Sequence, residues 1–392
     1  MPFDLPEELK VKKQNLRQFL NKEIAPVVDE LDKKGPLSYE ENLEFFKKLI
    51  PYDYIRNNNP KEVGGTDASY LERAVMAEEL ARVWGALAAT VETHAGVIEM
   101  IARYGTDEQK KRWAIPGVQG KILACDMVSE PGAGSDQTNF KTTAILKGDY
   151  YLVNGTKMWQ TNGTQADVGI LTAISNPEKY AKNQTKGVIS LIVDKKESGW
   201  KVRDIPFVGL RAGNTGFMEF ENVKVPKENL LHGEDEGYGS QLKARAWFRV
   251  WVAACGVGAM DAALEDAISY AKKRQAFGKP LAGFQMIQEM IADIAIDKEM
   301  LKLLVYRAAS LMDKGERADL EQCMAKAFYG DVGVRNAHKA LQIFGARGLT
   351  TAEGFRAERY FRESPIGGIA EGTTQIVKLL IGRRLTGIQA FL

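Results

Sequence analysis

The sequence predicts an α+β protein with a helical N-terminal domain, a central antiparallel β domain and a C-terminal helical bundle. Residues 1 to about 120 carry apolar side chains at helical spacing. Residues from about 120 to 230 contain short runs rich in β-branched and aromatic residues, separated by turn residues. Long amphipathic segments return from about residue 235. The predicted domains are therefore 1–121, 122–230 and 231–392.

The first domain begins with a helical segment, EELKVKKQNLRQFLNKEIAPVVDEL, in which apolar residues recur every three or four positions. The stretch NNNPKEVGGTD, residues 57–67, is predicted to be a loop because it is rich in Asn, Pro and Gly. A further helical stretch follows and ends at Gly105.

The central domain is predicted from strand-like segments. KGDYYLVNGTKMWQTNG is typical of two strands joined by a turn at Asn154 and Gly155, since Asn-Gly is a strong hairpin signal. GVISLIVDK (187–195) and GFMEFENVKVP (216–226) predict further strands. In the last domain, long helical patterns with short connections predict antiparallel helices, one of which ends at Gly315.

Composition excludes several classes of protein. The chain has 392 residues, of which 53 are Lys or Arg and 51 are Asp or Glu, so nucleic acid is not an expected partner. No apolar run reaches the length of a membrane span, and the N-terminus lacks the apolar core of a signal peptide. Scattered cysteines predict a reducing, cytoplasmic location, and scattered histidines predict no metal site.

Three short segments are candidates for ligand binding. In SEPGAGSD (129–136), Gly132 and Gly134 would let backbone N–H groups approach an anion, although a plain Gly-rich turn is the alternative. Trp159 and Thr161 alternate along a predicted strand, which suits a flat ring with hydrogen-bonding nitrogens; a half-buried Trp is the alternative.

The third segment is KKRQAFGKP, residues 272–280. Arg274 offers a fork for a pyrophosphate and Phe277 a stacking face. The alternative is a solvated helix terminus closed by Gly278 and Pro280.

PIGGIAEGTTQI (365–376) places one carboxylate, Glu371, between Ala370 and Gly372. Taken alone, it is either a charge at the start of a helix or a base with room cleared in front of it.

Together these segments resemble the acyl-CoA dehydrogenase family, in its order and spacing. The resemblance rests on SEPGAGSD, NGTKMWQTNG, GLRAGNTGFMEFENVKVPKENLL, AKKRQAFGKPLAGFQ, LQIFGARG and AEGTTQI. The closing GRRLTGIQAF is most similar to the glutaryl-CoA dehydrogenase branch. The resemblance implies a C-terminal four-helix bundle, a homotetramer built as a dimer of dimers, bound FAD, an acyl-CoA substrate and an electron-transfer flavoprotein as acceptor.

The implied reaction is α,β-dehydrogenation. A base removes the proton next to the thioester carbonyl, and hydride passes from the β carbon to flavin N5. The resemblance makes Glu371 that base. Some relatives place the base on a bundle helix, in the stretch that reads VWVAACGVG (250–258) here, and this stretch has no carboxylate.

The resemblance also implies the cofactor contacts. The residues expected beside FAD within one subunit are Met127, Val128, Ser129, Gly134, Ser135, Trp159, Thr161, Thr373 and Gln375. Those expected from a second subunit are Arg274, Gln275, Phe277, Gln342, Ile343 and Gly345. Arg249 matches an arginine near the CoA nucleotide, and Ser135 is also expected to touch the pantetheine.

The acyl group is less well specified. The glutaryl branch holds its distal carboxylate with an arginine at the position of Leu87, so this chain is not expected to act on glutaryl-CoA; Arg82, about one turn away, is a minor alternative clamp. Ala370 stands where straight-chain enzymes commonly have Tyr, and it lines the space before the base together with Gly372. A branched or cyclic acyl group would suit that room, unless Trp84 or Trp251 refills it.

Glu92 aligns with the floor of the acyl cavity. If buried, it needs a partner such as His94 or a polar group of the substrate; if solvated, it needs none. Alternative functions are an oxidase or another elimination on the same scaffold, a dicarboxylyl-CoA dehydrogenase with a different clamp, or a silent flavin-binding protein. The last is disfavoured because Glu371 and Ser135 are both present.

Overall fold

The computed structural model describes residues 4–233 and 237–390, with the backbone alone for residues 237–245. The chain folds as helices, then a sheet, then helices again, which confirms the predicted fold class. The N-terminal helices are α1 (Glu7–Glu23), α2 (Ala25–Lys34), α3 (Tyr39–Leu49), α4 (Tyr70–Val83), α5 (Gly85–Tyr104), α6 (Asp107–Gln109) and α7 (Ile115–Val118).

Helix α4 lies at the centre of the molecule, with every residue from Arg73 to Val83 buried. It crosses a C-terminal helix so closely that a Cβ on Gly258 would lie 2.0 Å from the carbonyl oxygen of Glu78. A glycine is needed here because any side chain would push the two helix backbones apart. This crossing joins the first and last helical regions into one core.

The central region contains β1 (Ala124–Met127), β2 (Thr143–Lys147), β3 (Tyr150–Thr161), β4 (Val168–Ile174), α8 (Pro177–Lys182), β5 (Val188–Asp194), β6 (Lys201–Asp204), β7 (Thr215–Pro226) and β8 (Leu230–Leu231). The strands form one sheet in the order β6-β7-β3-β2-β4-β5-β8, with β1 paired to β4. Most pairs are antiparallel, whereas β1 runs parallel to β4 and β2 meets β4 in parallel at one residue pair.

The predicted turn at Asn154 and Gly155 is wrong. The strands β2 and β3 are joined instead by Gly148 and Asp149, and β3 continues through the Asn-Gly pair as a bulge opposite β7. Gly155 is required there by its φ of 143° and because a Cβ would lie 2.6 Å from Thr142 Cα. Pairing on both edges of β3 overrides the local preference of Asn-Gly for a turn.

The C-terminal region contains α9 (Gly237–Lys273), β9 (Gln275–Ala276), β10 (Lys279–Pro280), α10 (Gln285–Asp313), α11 (Asp319–Phe344), α12 (Ala357–Glu363), α13 (Ile366–Ile369) and α14 (Thr374–Thr386). Helix α11 contacts α9, α10 and α14, so these four long helices share one bundle. As predicted, the second long helix stops before Gly315, which has a φ of 67°.

The described residues include one helical stretch, Ala246–Lys273, that is long and apolar enough to cross a membrane. Of its most apolar part, 67% is buried among the other helices. Burial of this kind is what a core helix of the bundle requires. The domain limits 1–121, 122–230 and 231–392 stay predictions.

Candidate active site

Glu371 lies in a short connection between α13 and α14, with a φ of 55° that side chains seldom adopt. Gly372 follows with a φ of 96°, and the Thr373 hydroxyl then accepts a hydrogen bond from the Ile376 N–H (3.3 Å) to cap α14. A left-handed backbone at a residue other than glycine costs about 1–3 kcal/mol. The fold therefore stores strain at the carboxylate that the family resemblance makes the base.

The connection is held by Lys326 of α11, which is fully buried. Its Nζ donates to the carbonyl oxygens of Gly367 (2.6 Å) and Gly372 (3.1 Å), on either side of Glu371. Burial lowers the pKa of Lys326 to about 8, against the opposing effect of the Glu371 carboxylate nearby. Sequence reasoning missed this residue, although a lone lysine inside the apolar stretch CMAKAFYG was a usable signal.

Tyr329 fills part of the room that the glycines leave. Its ring lies where a Cβ on Gly256, Gly333 or Gly367 would be, at 2.3–2.8 Å from the nearest ring atom. Trp84, by contrast, is wholly buried and packs edge-on against Phe45 in the N-terminal core. The space beside Gly367 is thus occupied by a tyrosine of α11, and Ala370 itself stays half-buried.

The loop at residues 129–136 is anchored by a buried ion pair. The Glu130 carboxylate accepts from Lys157 Nζ at 2.8 Å and from the backbone N–H groups of Lys141 and Thr142. Burial lowers the pKa of Lys157 to about 8, although the Glu130 charge acts the other way. For Glu130, burial alone would raise the pKa, but Lys157 and the hydrogen bonds outweigh it and the pKa is lowered.

The tip of this loop faces open space. A Cβ on Gly132 or Gly134 would meet no atom within 4 Å, and Ser135 is exposed. Met127 and Val128 are buried, whereas Ser129 is half-buried. Open glycines beside an exposed hydroxyl are suited to a ligand that approaches the backbone closely.

Trp159 and Thr161 lie near the end of β3, beside this loop. The Ser129 carbonyl accepts from the Met158 N–H (2.8 Å) and from Gln160 Nε2 (2.9 Å). A bulge between Met158 and Gln160 gives Trp159 a φ of 70°, and the residue is 50% exposed. An aromatic face so presented beside an open Gly-rich loop fits a planar ring system.

The residues expected to act on a second subunit's cofactor lie together at one end of the bundle. Phe277 is 97% exposed at the tip of the β9–β10 hairpin, after Arg274 and Gln275. Ile343 is buried against this region, and Tyr270 stacks on Phe344 at 4.4 Å. Gln342 and Gly345 are exposed alongside.

Arg249 of α9 lies against α11, near Cys323 and Lys326. Its Nη1 is 3.9 Å from Cys323 Sγ, one turn before Lys326, and its buried Nε has no hydrogen-bond partner. Both Thr373 and Gln375 belong to the start of α14, where Gln375 is exposed. The charges of Glu371 and Arg249 both act on the pKa of Lys326, the first raising it and the second lowering it.

Glu92 is buried, and the protein itself supplies its partners. Trp247 Nε1 and Asn58 Nδ2 donate to its carboxylate, and Arg73 Nη2 lies 3.7 Å away. Burial raises the pKa of Glu92, while these three groups act in the opposite direction. His94 is not among them: its ring contacts the Gly117 carbonyl and accepts from the Ala124 N–H.

Neither position considered for binding a substrate carboxylate is available for that role. Leu87 is fully buried in the N-terminal core. Arg82 is bound by Glu79, Glu265 and Asn21. A small cavity beside Glu92 is lined by Arg73 and Trp251 among others. Within residues 4–233 and 237–390, no group of three His, Cys, Asp or Glu side chains is arranged to hold a metal.

Comparison with known proteins shows the family of the chain. Models of the N-terminal, middle and C-terminal domains of acyl-CoA dehydrogenases match residues 6–121, 125–223 and 235–386. The glutaryl-CoA dehydrogenase of Desulfococcus multivorans is 33% identical, over 99% of this chain and 99% of its own. The CarC subunit of the caffeyl-CoA reductase–Etf complex of Acetobacterium woodii is 34% identical, over 97% of this chain and 98% of its own.

A solved structure, the butyryl-CoA dehydrogenase of Megasphaera elsdenii, superimposes with a TM-score of 0.91 at 30% identity and covers 98% of this chain and 100% of its own. Enzymes of this family depend on FAD, which the open loop and the exposed Trp159 face accommodate. The chain therefore belongs to the acyl-CoA dehydrogenase family of oxidoreductases.

Proposed function

We propose that this enzyme desaturates an acyl-CoA thioester between its α and β carbons, with the Glu371 carboxylate as the base. The observation that carries the proposal is the conformation of Glu371, whose strained backbone is fixed by Lys326 from a different helix. Strain of this kind persists where the surrounding structure enforces it, as it does in active sites. A helix-start charge needs neither the strain nor the buried lysine.

In the proposed reaction the α C–H bond breaks, its proton passes to Glu371, and its electron pair forms the C=C bond as hydride leaves the β carbon. The chemistry that FAD supplies when bound is to accept that hydride. Arg249 has an unpaired buried Nε, which fits its proposed contact with the CoA nucleotide.

The proposed contacts to FAD follow the two groups of residues described above. The loop and strand group contributes Met127, Val128, Ser129, Gly134, Ser135, Trp159 and Thr161, and Thr373 and Gln375 complete it. The hairpin group contributes Arg274, Gln275, Phe277, Gln342, Ile343 and Gly345 to a neighbouring copy. The almost fully exposed Phe277 ring supports this, because an isolated monomer would leave it in water. We therefore infer that the chain assembles with copies of itself, as the homotetramer that its family resemblance implies, and the scattered cysteines support a cytoplasmic location.

For the acyl group we propose a branched or cyclic chain. Ala370 is small and half-buried beside the base, and Gly372 next to it adds no side chain. Tyr329 occupies the room beside Gly367, three residues before Ala370. Arg82 is fully engaged and Leu87 is apolar, which disfavours a dicarboxylic acyl group. We propose an electron-transfer flavoprotein as acceptor, as the name of the Acetobacterium woodii complex indicates for that relative.

The test is anaerobic bleaching of the flavin absorption by a panel of saturated acyl-CoAs with linear, branched, cyclic and dicarboxylic acyl groups. We expect bleaching to be fastest with a branched or cyclic thioester. If no saturated acyl-CoA bleaches the flavin, the dehydrogenase proposal fails. Reoxidation by oxygen as fast as by an electron-transfer flavoprotein would show an oxidase instead.

A further inference from the structure

The connection that carries Glu371 touches α11 along one face of that helix. Tyr329, Gly330 and Gly333 lie three, four and seven residues after Lys326, so these positions share one face of the helix with it. A Cβ on Gly330 would lie 2.0 Å from Thr374 Oγ1 and 3.3 Å from Gly368 Cα. The backbone of the connection therefore rests directly on the helix.

Within this contact Lys326 is the one fully buried charge among the described residues, and its ammonium group donates to two backbone carbonyls of the connection. Gly367 and Gly372 are five residues apart and enclose Glu371. One ammonium group that binds both ends fixes the distance between them, and so fixes the left-handed turn between them. The Tyr329 ring closes the third side, against Gly367.

We propose that Lys326 is a positioning residue for the base: it holds the Glu371 connection in the one conformation that aims the carboxylate at the substrate. The proposal rests on the proposed function of Glu371. Lys326 touches backbone rather than the reacting atoms, so its removal changes the aim of the base. The proposed FAD contacts of the Gly-rich loop and of β3, and Arg249, lie outside the connection. Misplacement of a reacting group by about 1 Å lowers a rate by about 100-fold.

The test compares Lys326→Met with Lys378→Met. Lys378 also joins α14 to α11, through Asp331 at 3.0 Å, but on the surface. We expect Lys326→Met to bind FAD as the unmodified enzyme does. The acyl-CoA concentration that gives half the maximal rate should change by less than about threefold, while the limiting rate of flavin bleaching falls about 10- to 100-fold. An α-deuterated acyl-CoA should show a larger isotope effect than with the unmodified enzyme, because proton removal becomes slower. Lys378→Met should change none of these.

A readout independent of turnover is amide hydrogen exchange. In Lys326→Met, exchange should speed up for residues 366–374 and stay unchanged in the middle of α10. If Lys326→Met does not fold, Lys326→Gln, which keeps an NH2 donor, replaces it. Bleaching at the unmodified rate would overturn the proposal. Failure of both variants to fold, or equal losses of FAD and rate, would make Lys326 a structural residue and overturn it too.

Glu371→Gln separates this proposal from the proposed function. If Glu371→Gln still bleaches, Glu371 is not the base and the proposed function fails. If Glu371→Gln is inactive while Lys326→Met bleaches normally, only the positioning role fails.

Discussion

Lys157 and Glu130 form a buried ion pair, with Nζ and Oε1 2.8 Å apart, that ties the Gly-rich loop to the strand carrying Trp159. Lys157 also donates to the Val128 carbonyl at 2.8 Å. Both side chains are almost completely buried. The two segments that the sequence marks as cofactor contacts are therefore joined by charges that neither segment's motif explains alone.

Lys157→Met is expected to destabilise the protein by about 3–5 kcal/mol, because the Glu130 carboxylate would stay buried without its cation. Thermal unfolding and the flavin content of the purified protein measure the effect. The double variant Lys157→Met/Glu130→Gln removes the stranded charge and should recover part of the loss. A single variant as stable as the parent would show that the pair does not hold the loop.

Gly367→Ala is expected to destabilise by about 1–3 kcal/mol, because its Cβ would lie 2.3 Å from the Tyr329 ring. Gly382→Ala is the matched control, since a Cβ there meets nothing within 4 Å and alanine favours a helix by up to about 1 kcal/mol. Urea unfolding of both variants checks the prediction. Equal effects of the two substitutions would contradict the packing shown around Tyr329.

Trp247→Phe is expected to cost about 1.5–3 kcal/mol, because it removes a hydrogen bond to the buried Glu92 carboxylate. Trp113→Phe serves as the control, since Trp113 Nε1 also bonds a carboxylate, Asp194, but one nearer the surface and paired with Arg112. Denaturant unfolding should show a smaller decrease in the free energy of unfolding for Trp113→Phe than for Trp247→Phe. A larger loss there would argue against burial as the cause.

Stability is expected to fall in acid through His94. Burial lowers the pKa of His94 from 6.5 to about 4 in the folded protein, so the unfolded chain takes up this proton first as the pH falls. The contribution of neutral His94 to the free energy of unfolding is fully present above pH 6.5. It is lost between about pH 6.5 and 4, by up to about 3 kcal/mol. His94→Gln should flatten the unfolding free energy in that range. An unchanged pH dependence in the variant would rule out His94 as the cause.

Glu371→Gln is expected to keep FAD and lower the rate of flavin bleaching by about 10²–10⁴-fold, because an amide removes no proton. Glu353→Gln is the control, since this carboxylate is exposed and pairs with Arg347. Stopped-flow spectroscopy with the best acyl-CoA measures both rates. Unchanged bleaching by Glu371→Gln would exclude this residue as the base.

Several features of the candidate site could be predicted from the sequence because they depend on contiguous residues. AEGTTQI predicts a carboxylate just before a helix, and the structure shows that helix, with Thr373 as its cap, which was not predicted from the sequence. The loop at residues 129–136 was predicted from glycines that need no partner elsewhere. The turn at Asn154 and Gly155 failed because pairing of β3 with two neighbouring strands outweighs a two-residue preference.

By itself the sequence determined the order of the three regions, the family and the identity of the proposed base. Those properties are written in local patterns and in motifs that keep their spacing along the chain. Only the tertiary structure decided what fixes Glu371 in place, since Lys326 lies 41 residues before Gly367 in the chain. It also decided that Glu92 is bound by Trp247, 155 residues away, because a buried charge is satisfied by whatever the fold brings within reach.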